Sequence, residues 1–432
     1  MAVLEHIRYY IFWFLDFFKK YPIRKHYNEI KFINENPTHQ NTKILQQKNL
    51  QNLIEHACKT TPFYANIKGE DLMNFPIINK NLILNNFDDF MSKNFEIKHL
   101  IKHTTSGSTG VPFEIYKDKN KVSRNSADVI YFSELADYKL GNQLIYIRLW
   151  VKKFMKHKFL LFFQNVIPHN ILENSRIEII RFLDMLRNRA SKKVLLVYPS
   201  YLEEVCRVLD TTENVNLNFN VKSIITTSEK LNKYEKERAQ HFFKCPIYER
   251  YSNMENGILA QNTNNTKEGY KINHASYFVE VLDVNTNNHV QNGEIGKIVI
   301  TDLFNYATPM IRYDTGDLGR YDKEENRHAF FSEIFGRRMD AVYNTKGAFV
   351  SPHIFYKISH FSKLKQFQFI QNSKSEYTFK LNANKKNTDE QAIINHFQPF
   401  LGEDAKFNFV YVNEIALLDS GKFKKVVNLM SH

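Results

Sequence analysis

Cysteine is scarce in this sequence: Cys58, Cys206 and Cys245 are the three among 432 residues, and none belongs to a CxxC pair. This distribution argues against a disulfide framework or a thiolate zinc site and fits a reducing cytoplasm. Glycine and proline are also few, at 14 and 11, which excludes collagen-like and proline-rich architectures. Acidic residues are outnumbered, with 46 Asp and Glu against 59 Lys and Arg, a net charge of +13.

The positive charge is spread along the chain, and its basic doublets lie at residues 19–20, 152–153, 192–193 and 424–425. No zinc-finger or RNP-type motif accompanies them, whereas a surface for a nucleic-acid backbone usually carries a basic cluster. We therefore expect no nucleic-acid partner, and a nucleic-acid-binding protein is the weakest of the function classes considered. Anionic lipid and a phosphate-bearing ligand are the other partners that such a charge favours.

The most apolar run, residues 9–18 (YYIFWFLDFF), is too short to span a bilayer. It contains Asp16, lacks a small-residue cleavage site, and is followed by Lys19 and Lys20. Two interpretations are open: a helix packed on the body of the protein, or a peripheral helix lying on anionic lipid. We expect a cytoplasmic protein, with residues 9–18 as the candidate for peripheral membrane contact.

Hydrophobic residues make up 43% of the chain, enough for large cores. Up to about residue 100 the spacing is mainly helical. Leu53, Ile54 and Ala57 share one helix face, and this helix should end before Pro62, because the residue preceding a proline disfavours helical geometry.

From Val194 onward, short apolar runs alternate with helix-like segments, which predicts a parallel sheet covered by helices. We predict strands at 194–198, 221–226 and 246–250, and helices at 200–209 and 232–243. The first of these helices should open with a capping box formed by Ser200 and Glu203. After Glu255 the pattern becomes antiparallel, with strands at 277–284 and 295–300.

The final part of the chain changes texture again, into strands at 366–370, 377–381 and 407–412 around one helix at 389–400. The fold class is therefore α/β, with mixed and parallel sheets covered by helices and a small antiparallel, barrel-like part. We predict a large N-terminal domain at residues 1–338 and a small, mobile α+β domain at residues 339–432.

The most informative motif is the loop at residues 104–112, TTSGSTGVP. Strand-like sequence flanks it on both sides, so a flexible linker is the weaker interpretation. A glycine-rich loop between two strands gathers backbone N–H groups and hydroxyls around one small volume, which suits an anionic phosphate. It is no Walker loop, because no Gly-Lys-Ser/Thr follows.

Four further stretches carry polar residues at fixed places. They are residues 250–255 (RYSNME), 310–317 (MIRYDTGD), 336–340 (GRRMD) and 420–424 (SGKFK). Taken singly, they read as a strand end, a hairpin turn, a basic surface patch and a solvated tail.

In this order and spacing, the five stretches resemble the ANL superfamily of adenylate-forming enzymes. The resemblance is to the phenylacetate–coenzyme A ligase branch and, within it, to ligase-like proteins often found with capsule or exopolysaccharide genes. It extends over almost the whole chain, including residues 53–64, 75–80 (FPIINK) and 198–200 (YPS).

The resemblance implies that ATP and a carboxylic acid form an acyl-adenylate and pyrophosphate, with Mg²⁺ as metal. The glycine-rich loop would then bind the β- and γ-phosphates through Thr105, Ser106, Gly107, Ser108, Thr109 and Gly110. By the same resemblance, Tyr251 would stack on adenine, and Glu255 would hold Mg²⁺, a hard cation suited to carboxylate oxygen.

The resemblance further implies that Asp317 accepts hydrogen bonds from the ribose hydroxyls and that Arg337 binds ribose or phosphate. Lys422, in the small domain, would bridge the attacking carboxylate and the α-phosphate, so Lys422, Glu255 and Arg337 are the implied catalytic residues. A second half-reaction would follow rotation of the small domain. Coenzyme A, a carrier-protein thiol and an amine all stay open as acyl acceptor.

Three departures from the family pattern bear on that second step. Met254 stands where a small hydroxyl residue usually contacts phosphate. Met339, followed by Asp340, stands where the hinge usually has Asp or Lys. The segment at Ser228 keeps only Glu229 of the usual small-small-Glu turn. They keep a second function class open: a family member that binds nucleotide without turnover.

Overall fold

The computed structural model describes most of the chain. The described residues are 2–67, 69, 71–105, 113–150, 158–212, 217–231, 233–263, 269–323, 329–338, 341–350, 354, 358, 364, 366–416 and 424–430. The chain divides into two compact units, one of residues 1–228 and 239–334 and the other of residues 229–238 and 335–432. The boundary that we predict at residue 338 stays a prediction.

Helices dominate the first hundred residues, as predicted. They are α1 (Ala2–Phe18), α2 (Pro22–Glu35), α3 (Gln40–Thr60), α4 (Lys80–Asn85) and α5 (Phe87–Phe90). Helix α3 buries the predicted face of Leu53, Ile54 and Ala57 and ends before Pro62. These side chains join a core with Ile298 and Ile300 from a strand far along the chain, so the helical part packs on the sheet of the first unit.

A hairpin follows the first helices. Strands β1 (Ile101–Thr105) and β2 (Phe113–Lys117) pair antiparallel, with Thr105 opposite Phe113 and Ile101 opposite Lys117. The hairpin flanks the glycine-rich loop, whose residues 106–112 lie outside the described part of the chain. The predicted strand on either side of that motif is confirmed.

The main sheet begins with five parallel strands. They are β3 (Gln143–Arg148), β4 (Val166–Asn170), β5 (Lys193–Val197), β6 (Val221–Thr227) and β7 (Ile247–Asn253). Their order in the sheet is β4-β3-β5-β6-β7, and every neighbouring pair is parallel. The parallel sheet predicted from residue 194 onward is therefore confirmed, with two further strands that come before it.

Antiparallel strands continue the same sheet beyond β7. They are β8 (Gly257–Asn262), β9 (Tyr270–Ile272), β10 (Tyr277–Leu282), β11 (Ile295–Asp302), β12 (Tyr313–Asp322) and β13 (Phe330–Arg337). The complete order has 11 strands, with β10 at the edge opposite β4. The change from parallel to antiparallel pairing falls at β7 and β8, the place that the sequence pattern predicts.

Helices precede and connect the parallel strands. They are α6 (Lys119–Glu134), α7 (Lys158–Gln164), α8 (Arg176–Arg187), α9 (Pro199–Asp210) and α10 (Lys233–Phe243). The capping box predicted at Ser200 is wrong: Pro199 occupies the first helical position of α9, and Tyr198 precedes it without a side-chain cap. Proline fits that position because its fixed φ matches the helix and its missing N–H would have no helical partner.

The second unit contains a small α+β arrangement, as predicted. Its strands are β14 (Val342–Tyr343), β15 (Phe349–Val350), β16 (Gln366–Gln371), β17 (Glu376–Asn382), β18 (Lys406–Tyr411) and β19 (Val426–Asn428), and its helix is α11 (Glu390–Leu401). Four strands form a sheet in the order β18-β17-β16-β19. Phe369, Phe379 and Phe397 are completely buried between this sheet and α11. In the same unit the Lys425 ammonium lies 2.8 Å from the Glu235 carboxylate.

Candidate functional site

The clearest polar contact of the first unit joins β7 to β12. The Tyr251 hydroxyl donates a 2.6 Å hydrogen bond to Oδ2 of Asp317. Burial, together with the Asp317 carboxylate, raises the pKa of Tyr251 well above its ordinary value, so the hydroxyl keeps its proton and its donor role. The Phe331 ring meets the Tyr251 ring edge-on, with centroids 6.4 Å apart. The tyrosine is therefore fixed in both position and ring orientation.

Arg312 holds the segment that leads into Asp317. This residue has φ of 54°, and its guanidinium is buried, with Nε and Nη2 donating to the two carboxylate oxygens of Glu280 at 3.1 and 2.9 Å. Nη1 donates to the Phe75 carbonyl at 3.1 Å. A bidentate, charge-assisted pair of this kind fixes the geometry strongly. The Arg312 side chain therefore acts as a clamp inside the fold.

The predicted Phe75–Ile78 segment lies against the same strand. The Ile78 N–H donates to the Arg312 carbonyl at 3.0 Å, and the Asp314 N–H donates to the Ile78 carbonyl at 2.8 Å. The backbone on both sides of Tyr313 is thus hydrogen-bonded to a segment more than two hundred residues earlier. These contacts place the two sequence motifs side by side.

The turn after Asp314 aims the Asp317 carboxylate. Gly316 has φ of 77°, a left-handed conformation that glycine adopts without steric cost, and its N–H donates to Asp314 Oδ1 at 2.8 Å. The Thr315 hydroxyl donates to the Ile298 carbonyl at 2.9 Å and accepts from the Asp317 N–H at 3.2 Å. Each residue of the Asp-Thr-Gly-Asp motif therefore has a distinct hydrogen-bonding role.

Glu255 lies in the short turn between β7 and β8. The turn is held by the Asn256 N–H, which donates to Asn253 Oδ1 at 2.8 Å. The Met254 side chain, at the position of the missing hydroxyl, is 47% exposed. Its carbonyl accepts a 2.9 Å hydrogen bond from the Lys117 ammonium at the end of β2.

Lys117 is almost completely buried beside this turn, with 1% of its surface exposed. Burial and the neighbouring Lys121 lower its pKa to about 7, against the opposing attraction of Asp302 and Glu255. Lys121 itself lies 2.7 Å from a carboxylate oxygen of Asp302, and both groups are inaccessible to solvent. The Asp302 carboxylate, at the end of β11, is thus already paired with a cation of the protein. Of the two carboxylates near Lys117, Glu255 is therefore the one that is suited to bind an added cation.

The donor set around Glu255 fits a phosphate-bound Mg²⁺ better than a protein-enclosed metal. Among the described residues, no group of three or more His, Cys, Asp or Glu side chains could hold a metal ion. Mg²⁺ in nucleotide sites usually takes one or two carboxylates and several phosphate and water oxygens. A single carboxylate in a turn meets that requirement.

The structure therefore brings three of the predicted site residues into one region, namely Tyr251, Glu255 and Asp317. Thr105 ends β1, next to the loop whose Ser106, Gly107, Ser108, Thr109 and Gly110 lie outside the described residues. Lys422, Met339 and Asp340 also lie outside them. Arg337 ends β13 in the second unit, where it is exposed, after Gly336 with φ of 84°.

The sequence pattern missed Lys117, Thr315 and the clamp of Arg312. Thr315 and Arg312 belong to a motif that the sequence singled out, but their partners Ile298 and Glu280 lie on other strands. Lys117 had no signal of its own, since its environment comes from Met254, 137 residues away. At the segment of Ser228, the residue adopts φ of 73°, and Thr227 Oγ1 lies 3.3 Å from Ser252 Oγ.

Comparison with known proteins finds several that are similar to this chain. Residues 342–429 match the CapK C-terminal domain family. Protein CapK of Staphylococcus aureus is 24% identical over 439 aligned positions, which cover 95% of this chain and 94% of that protein. Phenylacetate-coenzyme A ligase of Pseudomonas putida is 23% identical, over 64% of this chain and 66% of that enzyme. The chain is thus similar to protein CapK over nearly its whole length and to a coenzyme A ligase over 64% of it, in agreement with the resemblance to the ANL superfamily.

Two solved structures share the fold of this chain. 2-Hydroxyisobutyryl-CoA ligase, in its postadenylation state, superimposes with a TM-score of 0.70 at 17% identity, over 89% of this chain and 88% of that one. ATP-bound MatB from Rhodopseudomonas palustris gives a TM-score of 0.57 at 16% identity, over 77% of this chain and 68% of that one. The predicted α/β fold with a smaller C-terminal part is confirmed.

Proposed function

We propose that this protein is an ATP-dependent ligase that activates a carboxylic acid as an acyl-adenylate. A carboxylate oxygen attacks the α-phosphorus of ATP, and the bond from that phosphorus to the pyrophosphate oxygen breaks. The hydrogen-bonded pair of Tyr251 and Asp317, next to the Glu255 turn in an ANL fold, is the observation that supports the proposal most directly.

Asp317 suits the ribose because a carboxylate presents two acceptor oxygens to a pair of hydroxyl donors. The Tyr251 hydrogen bond and the Thr315 contact with the Asp317 backbone fix its plane before nucleotide arrives. Tyr251 itself offers a ring, held edge-on by Phe331, on which adenine could stack. Binding then orders neither side chain further, so little conformational entropy is lost.

Glu255 is the residue that we propose to hold Mg²⁺. When bound there, the ion would neutralise charge on the ATP phosphates. The neighbouring Lys117 contributes positive potential whenever it is protonated, and its bond to the Met254 carbonyl fixes the turn that carries Glu255. The chain thus supplies both an anionic ligand for the metal and a rigid support for it.

The remaining assignments rest on the motifs. Residues 105–110 are proposed to bind the β- and γ-phosphates, Arg337 to bind ribose or phosphate, and Lys422 to neutralise charge between the attacking carboxylate and the α-phosphate. Two anions must approach each other in this reaction, so positioned cations are expected to be its main source of acceleration.

In the second step, the acyl group is proposed to be transferred to an acceptor. The acceptor is a thiol, of coenzyme A or of a carrier protein, or an amine. Coenzyme A is supported by the names of the similar ligases, which act on phenylacetate and 2-hydroxyisobutyrate. Similarity to protein CapK over nearly the full chain supports a role in surface-polysaccharide biosynthesis. An amine on a sugar would link adenylation to a polysaccharide without coenzyme A, because its attack on the acyl carbon forms an amide and releases AMP.

A second candidate is a family member that binds nucleotide without turning it over. Met254 supports it, since an exposed thioether replaces the hydroxyl that would contact phosphate. Retention of Glu255, Asp317, Arg337 and Lys422 together supports the active enzyme.

ATP–pyrophosphate exchange with a panel of aliphatic, hydroxy and aromatic acids separates the two candidates. We expect exchange that depends on one class of acid and on Mg²⁺. ATP binding without exchange for any acid in the panel would favour the nucleotide-binding protein. Absence of ATP binding altogether would overturn both.

A further inference from the structure

Helix α1 presents an unusually apolar surface to solvent. Tyr10, Phe14 and Phe18 are 67%, 61% and 67% exposed, and they follow one another at helical spacing. Further exposed apolar side chains surround them on the same helix: Val3, Leu4, Ile7, Ile11, Leu15 and Phe17. A surface helix of a globular protein normally turns such residues inward. Their exposure calls for a partner.

Both acidic residues of α1 are engaged by the protein itself. Asp16 is 3% exposed, and its two carboxylate oxygens accept from the backbone N–H groups of Ile23 and Arg24, at 3.1 and 2.9 Å, in the first turn of α2. Glu5 accepts a 2.8 Å hydrogen bond from Asn142. Asp16, the acid within the apolar run of residues 9–18, therefore caps the next helix. Among its described residues, the outer face of α1 has no exposed carboxylate.

Helix α7 enlarges this surface. Phe159 and Phe162 are 66% and 62% exposed, and the Arg8 guanidinium of α1 lies over the Phe162 ring at 5.1 Å. Gly141 contacts both ends of this surface. Asn165, just after α7, donates to the Gly141 carbonyl at 2.9 Å, and the Glu5 carbonyl of α1 lies so close to Gly141 that no side chain would fit there. We call the exposed apolar side chains of α1 and α7 the aromatic face.

The aromatic face has a basic border. Lys19, Lys20 and Lys25 are exposed after the end of α1, and Lys158 is exposed at the start of α7. Among the described residues of both helices, Glu5 and Asp16 are the acids, and both are bonded as above. Rings at an interface with lysines around them are the pattern of a helix lying on anionic lipid.

We propose that the aromatic face docks on the surface of an anionic phospholipid bilayer, with α1 lying in the membrane plane. The docking is peripheral, since no described helix is long and apolar enough to cross a membrane. A second copy of the chain is a poorer partner, because a symmetric pair would bring two sets of the same lysines together. A lipid headgroup layer neutralises them instead. This inference is independent of the adenylation chemistry.

Vesicle flotation of the full-length protein tests the proposal. One set of vesicles contains phosphatidylcholine alone, and the other contains phosphatidylcholine with about a third phosphatidylglycerol. The wild-type protein should float with the anionic vesicles at low salt and far less with the neutral ones. Binding should weaken as salt rises, because screening shortens the reach of the lysine charges.

Two pairs of substitutions separate the contributions of charge and ring. Lys19→Gln with Lys20→Gln should weaken vesicle binding about 30-fold, since each basic residue near an anionic membrane raises the affinity for it about fivefold. Phe14→Ser with Phe18→Ser should weaken it about a hundredfold through lost apolar burial. All four side chains are exposed, so the fold is expected to persist.

Matched controls lie in the second unit. Lys385→Gln with Lys386→Gln removes an equally exposed doublet, and Phe400→Ser removes a ring that is 45% exposed. Both should leave flotation unchanged. An equal loss of vesicle binding in Lys385→Gln with Lys386→Gln would show that binding depends only on the net charge of the protein, and it would overturn the proposal. So would failure of the wild type to bind anionic vesicles, or a stable dimer in ultracentrifugation that Phe14→Ser with Phe18→Ser dissociates.

Discussion

The hydroxyl of Tyr251 and the carboxylate of Asp317, 66 residues apart in the chain, are joined by a 2.6 Å hydrogen bond. This bond links a strand of the parallel part of the sheet to a strand of the antiparallel part. Each side chain therefore holds the other in place, and this contact ties together the two strands of the proposed nucleotide site.

Replacing Asp317 with alanine should weaken ATP binding by one to two decades, because charge-assisted hydrogen bonds contribute about 1.5–3 kcal/mol. Calorimetry of the folded variant measures the change. Asp322→Ala is the matched control, since Asp322 lies on the same strand β12. Unchanged affinity in Asp317→Ala would show that the ribose assignment is wrong, whereas equal loss in both variants would indicate a general effect of negative charge.

Lys422→Ala should leave the fold and most ATP binding intact while lowering acyl-adenylate formation by about 10²–10³, the typical effect of deleting one preorganised electrostatic contact. Pyrophosphate release with a cognate acid gives the rate. Lys424→Ala is the appropriate control, because the substitution removes the same charge two residues away.

Lys425→Ala is a poorer control than Lys424→Ala. Its ammonium pairs with Glu235, a carboxylate only 6% exposed, so removing it should destabilise the second unit by about 1–3 kcal/mol. A loss of pyrophosphate release in Lys424→Ala equal to that in Lys422→Ala would contradict the catalytic role of Lys422.

Met254→Thr tests the position of the missing hydroxyl. If the turn contacts phosphate, the new hydroxyl should raise ATP–pyrophosphate exchange about tenfold, the effect of one added hydrogen bond to a charged group. Stability should change by less than about 0.5 kcal/mol, since the side chain is half-exposed. Met73→Thr, at a methionine 51% exposed, is the control. No gain, or a loss, would exclude a phosphate contact at this residue.

Lys117 makes folding stability depend on pH. Its pKa is lowered by burial and by Lys121 from 10.5 to about 7, so between these values the unfolded chain holds a proton that the folded chain has released. Stability contributed by this group therefore rises with pH from 7 toward 10, and it is lost as the pH falls to 7.

Urea unfolding at pH 7 and pH 9 measures this dependence in the wild type and in Lys117→Met, whose side chain fills similar space without charge. The gain between the two pH values should be smaller in the variant. Lys193, with its pKa lowered by burial to about 8, and Cys245, with its pKa raised by burial to about 12, are common to both proteins and cancel in the comparison. Identical gains would refute a depressed pKa at Lys117.

Limited proteolysis tests the predicted boundary at residue 338. Trypsin should cut first at Arg337 or Arg338, and an acyl-adenylate analogue should slow the cut. Preferred cleavage within residues 194–255, which contain the parallel strands β6 and β7 and the helix α9, would overturn the boundary.

Strand and helix positions followed largely from the sequence, because their period reflects burial on one face. The helix of Leu53, Ile54 and Ala57 is an example. The strand at Val221–Thr227 is buried on both faces and is predicted instead from its short apolar run. The capping box at Ser200 failed since two local signals competed, and the fixed φ of Pro199 started the helix one residue earlier. Local sequence signals predict the first residue of a helix only when they all indicate the same residue.

The candidate residues could be named from the sequence, whereas most of their contacts could not. Tyr251, Glu255 and Asp317 were named from motifs, yet their partners Lys117, Ile298 and Phe331 depend on strand pairing over long separations. The aromatic face shows the same limit. Apolar spacing in α1 predicts a helix, and it does not distinguish a face turned to the core from one turned to solvent.

The clamp on Arg312 has a consequence for synthesis of the chain. Phe75 and Arg312 are 237 residues apart, and Glu280 completes their contact. A nascent chain that has emerged only as far as β11 therefore lacks the cation that joins the Phe75 carbonyl to Glu280. The segment that carries Asp317 accordingly reaches its fixed position only after β12 has been synthesised.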